Sequence, residues 1–194
     1  MVFILAALMI IFVFAQVLMS HSNKKIENPN YVVVKDFGEF EVRQYDSMIM
    51  ANTPLNSNNY EQNASDGFRR VAAYIFGQNE KEEKIAMTSP VFMEMGSTPS
   101  MSFVMPKQYK KEQLPNPTVK NVELVDVKPM RLAVIAFSGY ANDEKIASYR
   151  KKLIGLMVKN DIKPGKQFYF LGYNAPWQVL GRKNEVAIEI IESK

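Results

Sequence analysis

Residues 84–106, KIAMTSPVFMEMGSTPSMSFVMP, and residues 173–190, YNAPWQVLGRKNEVAIEI, share one pattern. Each reads as an extended run, an X-Pro break, a second extended run, a loop and a strand. In the first, Thr88-Ser89-Pro90-Val91 leads to a strand at 101–105. In the second, Asn174-Ala175-Pro176-Trp177 leads to a strand at 186–190. The residue before a proline is pushed toward extended geometry. Proline itself lacks an N–H and interrupts or edges a ladder. Two such stretches, each closing a similar half, imply an internal duplication.

The rest of the chain fits that reading. Residues 31–35 form a Val-rich strand, Asp36-Phe37-Gly38 a turn, and residues 40–45 alternate as a half-buried strand does. An extended run at 47–55 and a polar connection at 56–63 follow. Ser65 is the expected N-cap of a helix whose stripe is Phe68, Val71, Ala72 and Ile75, with Gly77 as its stop. Arg69, Arg70, Ala73 and Tyr74 then lie off the stripe. The charged segment 107–121, with Pro115 and Pro117, reads as the hinge between halves. In the second half, strands at 122–127 and 132–137 precede a helix capped by Asn142. Its buried stripe is Ile146, Tyr149, Leu153, Leu156 and Met157. A strand at 168–173 and the second Pro-broken stretch close the chain.

The expected fold class is α+β. Duplicated ββαββ units form a distorted antiparallel β-barrel flanked by two helices, preceded by an N-terminal hydrophobic helix. The expected organisation is a leader at 1–20, a linker at 21–30 and one domain at 31–192, with halves at 31–106 and 119–192. Glycine patterns for dinucleotide or P-loop binding are absent.

Residues 2–15 are an unbroken apolar run, which Val17-Leu18-Met19 extends past Gln16. As a helix, 2–19 would span about 27 Å, enough for a thin bilayer. One reading is an uncleaved membrane anchor. The other is a signal peptide cut after Ser22, which would export the domain. No Lys or Arg precedes the run, which favours the anchor.

The chain has no cysteine, so disulfides, thiolate nucleophiles and Cys-based metal sites are excluded. Its one histidine, His21, precedes the domain. The folded part therefore cannot build a Ser-His-Asp triad, a Cys-His pair or a His-rich zinc site. A formal net charge of +4 over 194 residues is mild and speaks for solubility rather than nucleic-acid binding.

Several stretches are familiar in order and spacing. They are Phe40-Glu41-Val42-Arg43-Gln44-Tyr45, Gly67-Phe68-Arg69-Arg70 running to Tyr74-Ile75-Phe76-Gly77, and Lys84-Ile85-Ala86-Met87-Thr88-Ser89-Pro90-Val91. They continue in Met101-Ser102-Phe103-Val104-Met105-Pro106, Gly172-Tyr173-Asn174-Ala175-Pro176-Trp177 and Arg182-Lys183-Asn184-Glu185-Val186. Over residues 31–190 the chain resembles the SOUL heme-binding protein family.

The resemblance implies the duplicated barrel, shared with small-molecule-sensing domains of bacterial regulators. It also implies heme or another tetrapyrrole as ligand, in an apolar groove beside the first helix and the loop before the last strand. Carried over by position, the groove uses Phe68 and Tyr74 on the helix, Met87 beside the Thr-Ser-Pro break, and Tyr173 and Trp177. Arg69 and Arg70 would meet the porphyrin carboxylates, and Arg182 completes the set. Ala73 stands where some animal members carry lysine, and the histidine proposed as axial ligand in some members has no counterpart.

Heme iron takes His, Cys, Met or Tyr. Met87 and Tyr173 are the candidates left, although a buried Met is more often gap filler than ligand. The expected mode is packing of a flat ring on Trp177, Tyr74 and aliphatic groups, with carboxylates on guanidinium groups. The leading functional reading is a membrane-tethered or exported tetrapyrrole carrier or buffer, without a strong axial ligand. Three alternatives stay open. One is a module for another flat apolar ligand. Another is an enzyme acting on a tetrapyrrole or lipid, with Glu41 or Glu185 as acid–base candidates. The last is a protein-interaction role for the basic run Arg150-Lys151-Lys152.

Overall fold

Near-continuous apolar runs such as residues 132–137 demand a sheet whose central strands are buried on both faces, and the computed structural model has one. It describes Ile4, Met9, residues 26–175 and residues 178–191. Ile4 and Met9 are helical and exposed; the rest of the apolar run, and with it the expected N-terminal helix, lies outside the described residues. Among the described residues no helix is long and apolar enough to cross a membrane.

Strands β1 (Tyr31–Asp36), β2 (Glu41–Tyr45) and β3 (Met48–Pro54) lead to helix α1 (Tyr60–Ile75). Then come β4 (Val91–Glu94), β5 (Ser100–Val104) and a 3-10 turn at Lys111–Gln113. The second half is β6 (Glu123–Val127), β7 (Met130–Ser138), α2 (Asp143–Lys159), β8 (Pro164–Gly172) and β9 (Lys183–Ile190). All nine strands form one antiparallel sheet in the order β1-β2-β7-β9-β8-β4-β5-β3-β6.

The duplication is visible in the pairing. The triplet β3-β5-β4 is mirrored by β7-β9-β8, and β4 and β8 meet at the seam. The first strand of each unit is exchanged: β2 pairs with β7 of the second half, and β6 pairs with β3 of the first. The two X-Pro breaks are not equivalent, however. Pro90 precedes β4, whereas Pro176 falls in the connection between β8 and β9; the proline placed like Pro90 is Pro164, at the start of β8. Local spacing could not reveal this, because equivalence is set by strand partners.

The sheet curls. Tyr45 on β2 and Phe92 on β4 are four strands apart in sheet order, about 19 Å on a flat sheet. Their ring centroids lie 6.3 Å apart. The face away from the helices is therefore an interior, filled by Tyr45, Met50, Phe92, Val104, Leu132, Val134, Leu171 and Ala187. The opposite face carries Phe103, Ile135, Phe170 and Val186 against α1 and α2. The expected barrel does not close: β1 and β6 remain edges. The exposed edge strand β1 is interrupted by a bulge between Val33 and Lys35, a feature that discourages edge-to-edge pairing.

Helix α1 starts at Tyr60, not after Ser65. Asn59 caps it by accepting from the Gln62 N–H at 2.7 Å. The carboxylate of Asp143, in the first turn of α2, accepts from the Tyr60 and Glu61 N–H groups at 2.6 and 3.2 Å. Residues 56–63 read as loop because a partner from the other half completes this first turn. Gly77, at φ +114°, ends α1 in the left-handed region as expected. Asn142 caps α2 as expected, and Ile146, Leu153 and Met157 are its buried positions, with Tyr149 and Leu156 packed beside them. Segment 107–121 is not a free hinge. Leu114 is buried, and the Pro115 carbonyl accepts the Tyr74 hydroxyl at 3.0 Å.

Replacing Asp143 by Ala removes a charge-assisted cap from α1. The expected loss in unfolding free energy is about 1–2 kcal/mol. The exposed neighbour change Glu144→Ala should stay within about 0.5 kcal/mol. Urea denaturation of both variants measures the difference.

Candidate functional site

On β9, Val186 and Ile188 face the helices, so alternation turns Glu185 and Ala187 to the other side. In a flat two-layer fold Glu185 would meet water. The curl encloses it completely instead. Its carboxylate accepts from Arg43 Nη1 and Nη2 at 2.9 and 3.1 Å, from the Tyr173 hydroxyl at 2.6 Å, and from Lys183 Nζ at 2.8 Å. Arg43 also bonds Glu41 through Nε at 2.6 Å and lies over the Tyr31 ring.

Burial opposes the charge on Glu185, but the Arg43 hydrogen bonds and charge prevail and hold it below the ordinary carboxylate range. Burial, joined by the Glu185 charge, raises the Tyr173 hydroxyl. Burial likewise pushes Tyr45 up to about 12. Burial also works against the charge on Arg43, and Glu185 more than compensates. Glu185 thus stays ionised and Tyr173 protonated through neutral pH. The two acid–base candidates, Glu41 and Glu185, are both engaged by Arg43. The cluster is a lock across β2, β9 and the residue that follows β8.

Among the described residues, the candidate tetrapyrrole side chains do not converge in one hollow. Phe68 is half-buried, its ring 5.2 Å from Phe103, and Met87 packs into the same helix-side layer. Arg69 is exposed, with Asp66 at 3.6 Å. Arg70 reaches Asp66 at 3.1 Å, and its buried Nε has no hydrogen-bond partner. Tyr173 belongs to the opposite, interior side of the sheet. Arg182 is buried: its Nη1 donates to the carbonyls of Ala175 and Gln178 at 2.9 and 2.6 Å, and its guanidinium covers the Tyr140 ring at 4.3 Å. Arg182 therefore pins the β8–β9 loop. Trp177, on that loop, lies outside the described residues.

Tyr74 departs most from the sequence reading. It is fully buried, and burial pushes its hydroxyl up to about 12. The buried residues of α1 are Asn63, Gly67, Val71, Ala72, Tyr74 and Ile75. Val71, Ala72 and Ile75 are the expected ones, Phe68 is only half-buried, and the stripe extends onto the Gly67 and Tyr74 side. Gly67 permits that extension. A Cβ there would come within 2.7 Å of Leu55 and 3.2 Å of Met101, so the helix lies down on its glycine side. A mid-helix glycine, disfavoured by propensity, was the available signal. The Arg43–Glu185 lock had none, since charged residues on strands ordinarily face solvent.

The family model for SOUL heme-binding proteins matches residues 26–189. The chain belongs to the SOUL heme-binding protein family. It is 29% identical over 177 residues to mouse heme-binding protein 2, covering 84% of this chain and 86% of that one. It is 28% identical over 161 residues to heme-binding protein 1 of Xenopus laevis, covering 78% and 84%. Among solved structures it is similar to the C-terminal domain of EcmrR, with a TM-score of 0.63 at 7% identity, covering 79% of this chain and 98% of that one. It is also similar to SAV2435 bound to tetraphenylphosphonium, with a TM-score of 0.51 at 10% identity, covering 79% and 94%. Those two likenesses show a shared fold. The SOUL match spans all nine strands and both helices, so the lock belongs to the family domain of this chain.

Glu185→Gln removes the buried, bidentate counter-ion of Arg43 and leaves it only the partly exposed Glu41 carboxylate. The expected cost is about 3–5 kcal/mol near neutral pH. A lowered carboxylate contributes stability that is complete above the ordinary carboxylate value of 4.5 and lost as pH falls through the folded value. The gap between wild type and Glu185→Gln should therefore shrink with acidification below that value, measured by denaturant unfolding across pH.

Proposed function

We propose that this SOUL protein binds a tetrapyrrole as a carrier or buffer, gripping the ring and its acids rather than its metal. The observation that carries the reading is the family match along nearly the whole fold, with relatives named as heme-binding proteins.

The residues suit a macrocycle. Arg69 is exposed, and Arg70 keeps an unpartnered Nε close by on the same helix; guanidinium groups suit carboxylates. Phe68 and Met87 offer apolar and polarizable surface beside them, and Trp177 sits on the loop that Arg182 pins. The donor set suits iron poorly. The chain has no cysteine, its single histidine is His21, and the Tyr173 hydroxyl is held by Glu185. Among the candidate residues Met87 is the remaining soft donor, half-buried in the helix-side layer. A bound heme would supply iron-centred electron or gas-ligand chemistry. The chain would orient the ring, cover one side of it and neutralise its acids. In this reading the apolar run 2–19 tethers the domain to a membrane.

Absorption titration of the full-length protein with hemin and with metal-free protoporphyrin tests the proposal. Both should bind stoichiometrically, with affinities within about tenfold, a difference of roughly 1.4 kcal/mol. Arg69→Glu with Arg70→Glu should weaken both alike. Failure to take up either pigment overturns the reading, as does a strong preference for hemin with a sharp low-spin spectrum.

A further inference from the structure

The largely apolar hollow against α2 contains none of the candidate tetrapyrrole residues. It has a volume of about 520 Å³, within the usual range for small-molecule sites. Its floor is Met95, Ile146 and Phe168, all buried, with Ile154 and Ala147 on the helix side. The polar groups of its wall are largely spent on each other. The Asn58 side chain and the Gly96 backbone exchange two hydrogen bonds, at 2.6 and 2.7 Å. Both carboxylate oxygens of Asp143 accept from the α1 N-terminus.

Two cations remain at the rim, Arg150 and Lys151. Among the described residues neither has an ion-pair partner, whereas the adjacent Lys152 is paired with Glu39 at 2.7 Å. The Arg150 guanidinium lies 4.4 Å from the Phe168 ring centre, directly over the floor. Such stacking holds the planar fork in place while leaving its N–H edge free.

The duplication explains why the hollow is one-sided. Counted from their asparagine caps, Gly67 of α1 and Arg150 of α2 occupy the same position. In the first half, glycine lets the helix settle onto Leu55 and Met101. In the second, an arginine stands there, stacked over Phe168 at the edge of the hollow.

We propose that this hollow is a separate site for an amphipathic organic anion: an apolar body on Met95, Ile146 and Phe168, and one anionic head between Arg150 and Lys151. A neutral polar molecule would find few free hydrogen-bonding groups in the wall. A cation would face two like charges, with the Asp143 carboxylate already bound by backbone N–H groups.

Calorimetric titration of the protein with laurate, dodecanol and dodecyltrimethylammonium, the two ions below their micellar concentrations and the alcohol below its solubility limit, tests this. Laurate should bind about tenfold or more tightly than dodecanol, and the ammonium should not bind. Added salt should weaken laurate binding, since an exposed head contact is screened within about 8 Å at physiological ionic strength. Two variants probe the site independently. Arg150→Glu with Lys151→Glu changes exposed rim residues, and Ala147→Trp fills the mouth from an exposed position. Each should abolish laurate binding while leaving protoporphyrin titration and the circular-dichroism spectrum unchanged. Equal binding of laurate and the ammonium would overturn the proposal. So would laurate binding that survives Ala147→Trp, or no laurate binding at all. Displacement of protoporphyrin by laurate would instead merge this hollow with the pigment site and refute a separate one. Because the two sites use different variants, pigment binding can fail while laurate binding stands, and the reverse.

Discussion

Curling brings β2 against β4 and turns the helix-free face of the sheet into an interior. A flat antiparallel sheet with helices on one face would leave that side to water. Here Tyr45 and Phe92 meet across it, and Leu132, Leu171 and Ala187 fill the space between. Strands β7 and β9 are consequently buried on both faces, which is why residues 132–137 and 186–188 are almost uninterruptedly apolar. The same enclosure gives Glu185 its partners. A charge at that position is tolerable only because Arg43 arrives bidentate from β2, with the Tyr173 hydroxyl and Lys183 completing the shell.

Strand exchange ties the two halves into one unit. β2 belongs to the first half by sequence and to the second by pairing, and β6 does the converse. Asp143 adds a further link by capping α1 from the start of α2. The symmetry is broken where the helices meet the sheet. Gly67 brings α1 close, while Arg150 leaves a hollow beside α2. Duplication supplied two similar surfaces, and single residues made one of them closed and the other open.

Local pattern carried much of the architecture. The strand positions, the Asn142 cap, the Gly77 stop and the α2 stripe follow from alternation, 3.6-residue periodicity and capping chemistry, all of which act between near neighbours. The α1 start was hidden because its first turn is completed by Asp143 of the other half. Val71, Ala72 and Ile75 of its stripe were legible, but the Gly67 and Tyr74 side was not, because a glycine's close approach is visible only against Leu55 and Met101. The equivalence of the two X-Pro breaks failed for the same kind of reason, since strand partners define which segments correspond. At the candidate site, Arg69 and Phe68 are where a helix surface would put them. Tyr74 is in the core, and Tyr173 is on the far side of the sheet.

By itself the sequence determined that the domain after the apolar run would be a duplicated antiparallel α+β fold flanked by two helices. It also determined that its folded domain would lack imidazole and thiol chemistry, because composition and short-range periodicity are properties of the chain alone. The tertiary structure decided which face became an interior, which charges were locked inside it and where an open hollow remained. Those outcomes depend on the curvature of a nine-stranded sheet and on contacts between residues far apart in sequence, such as Arg43 with Glu185. No local pattern encodes a curvature that arises only when all the strands are paired.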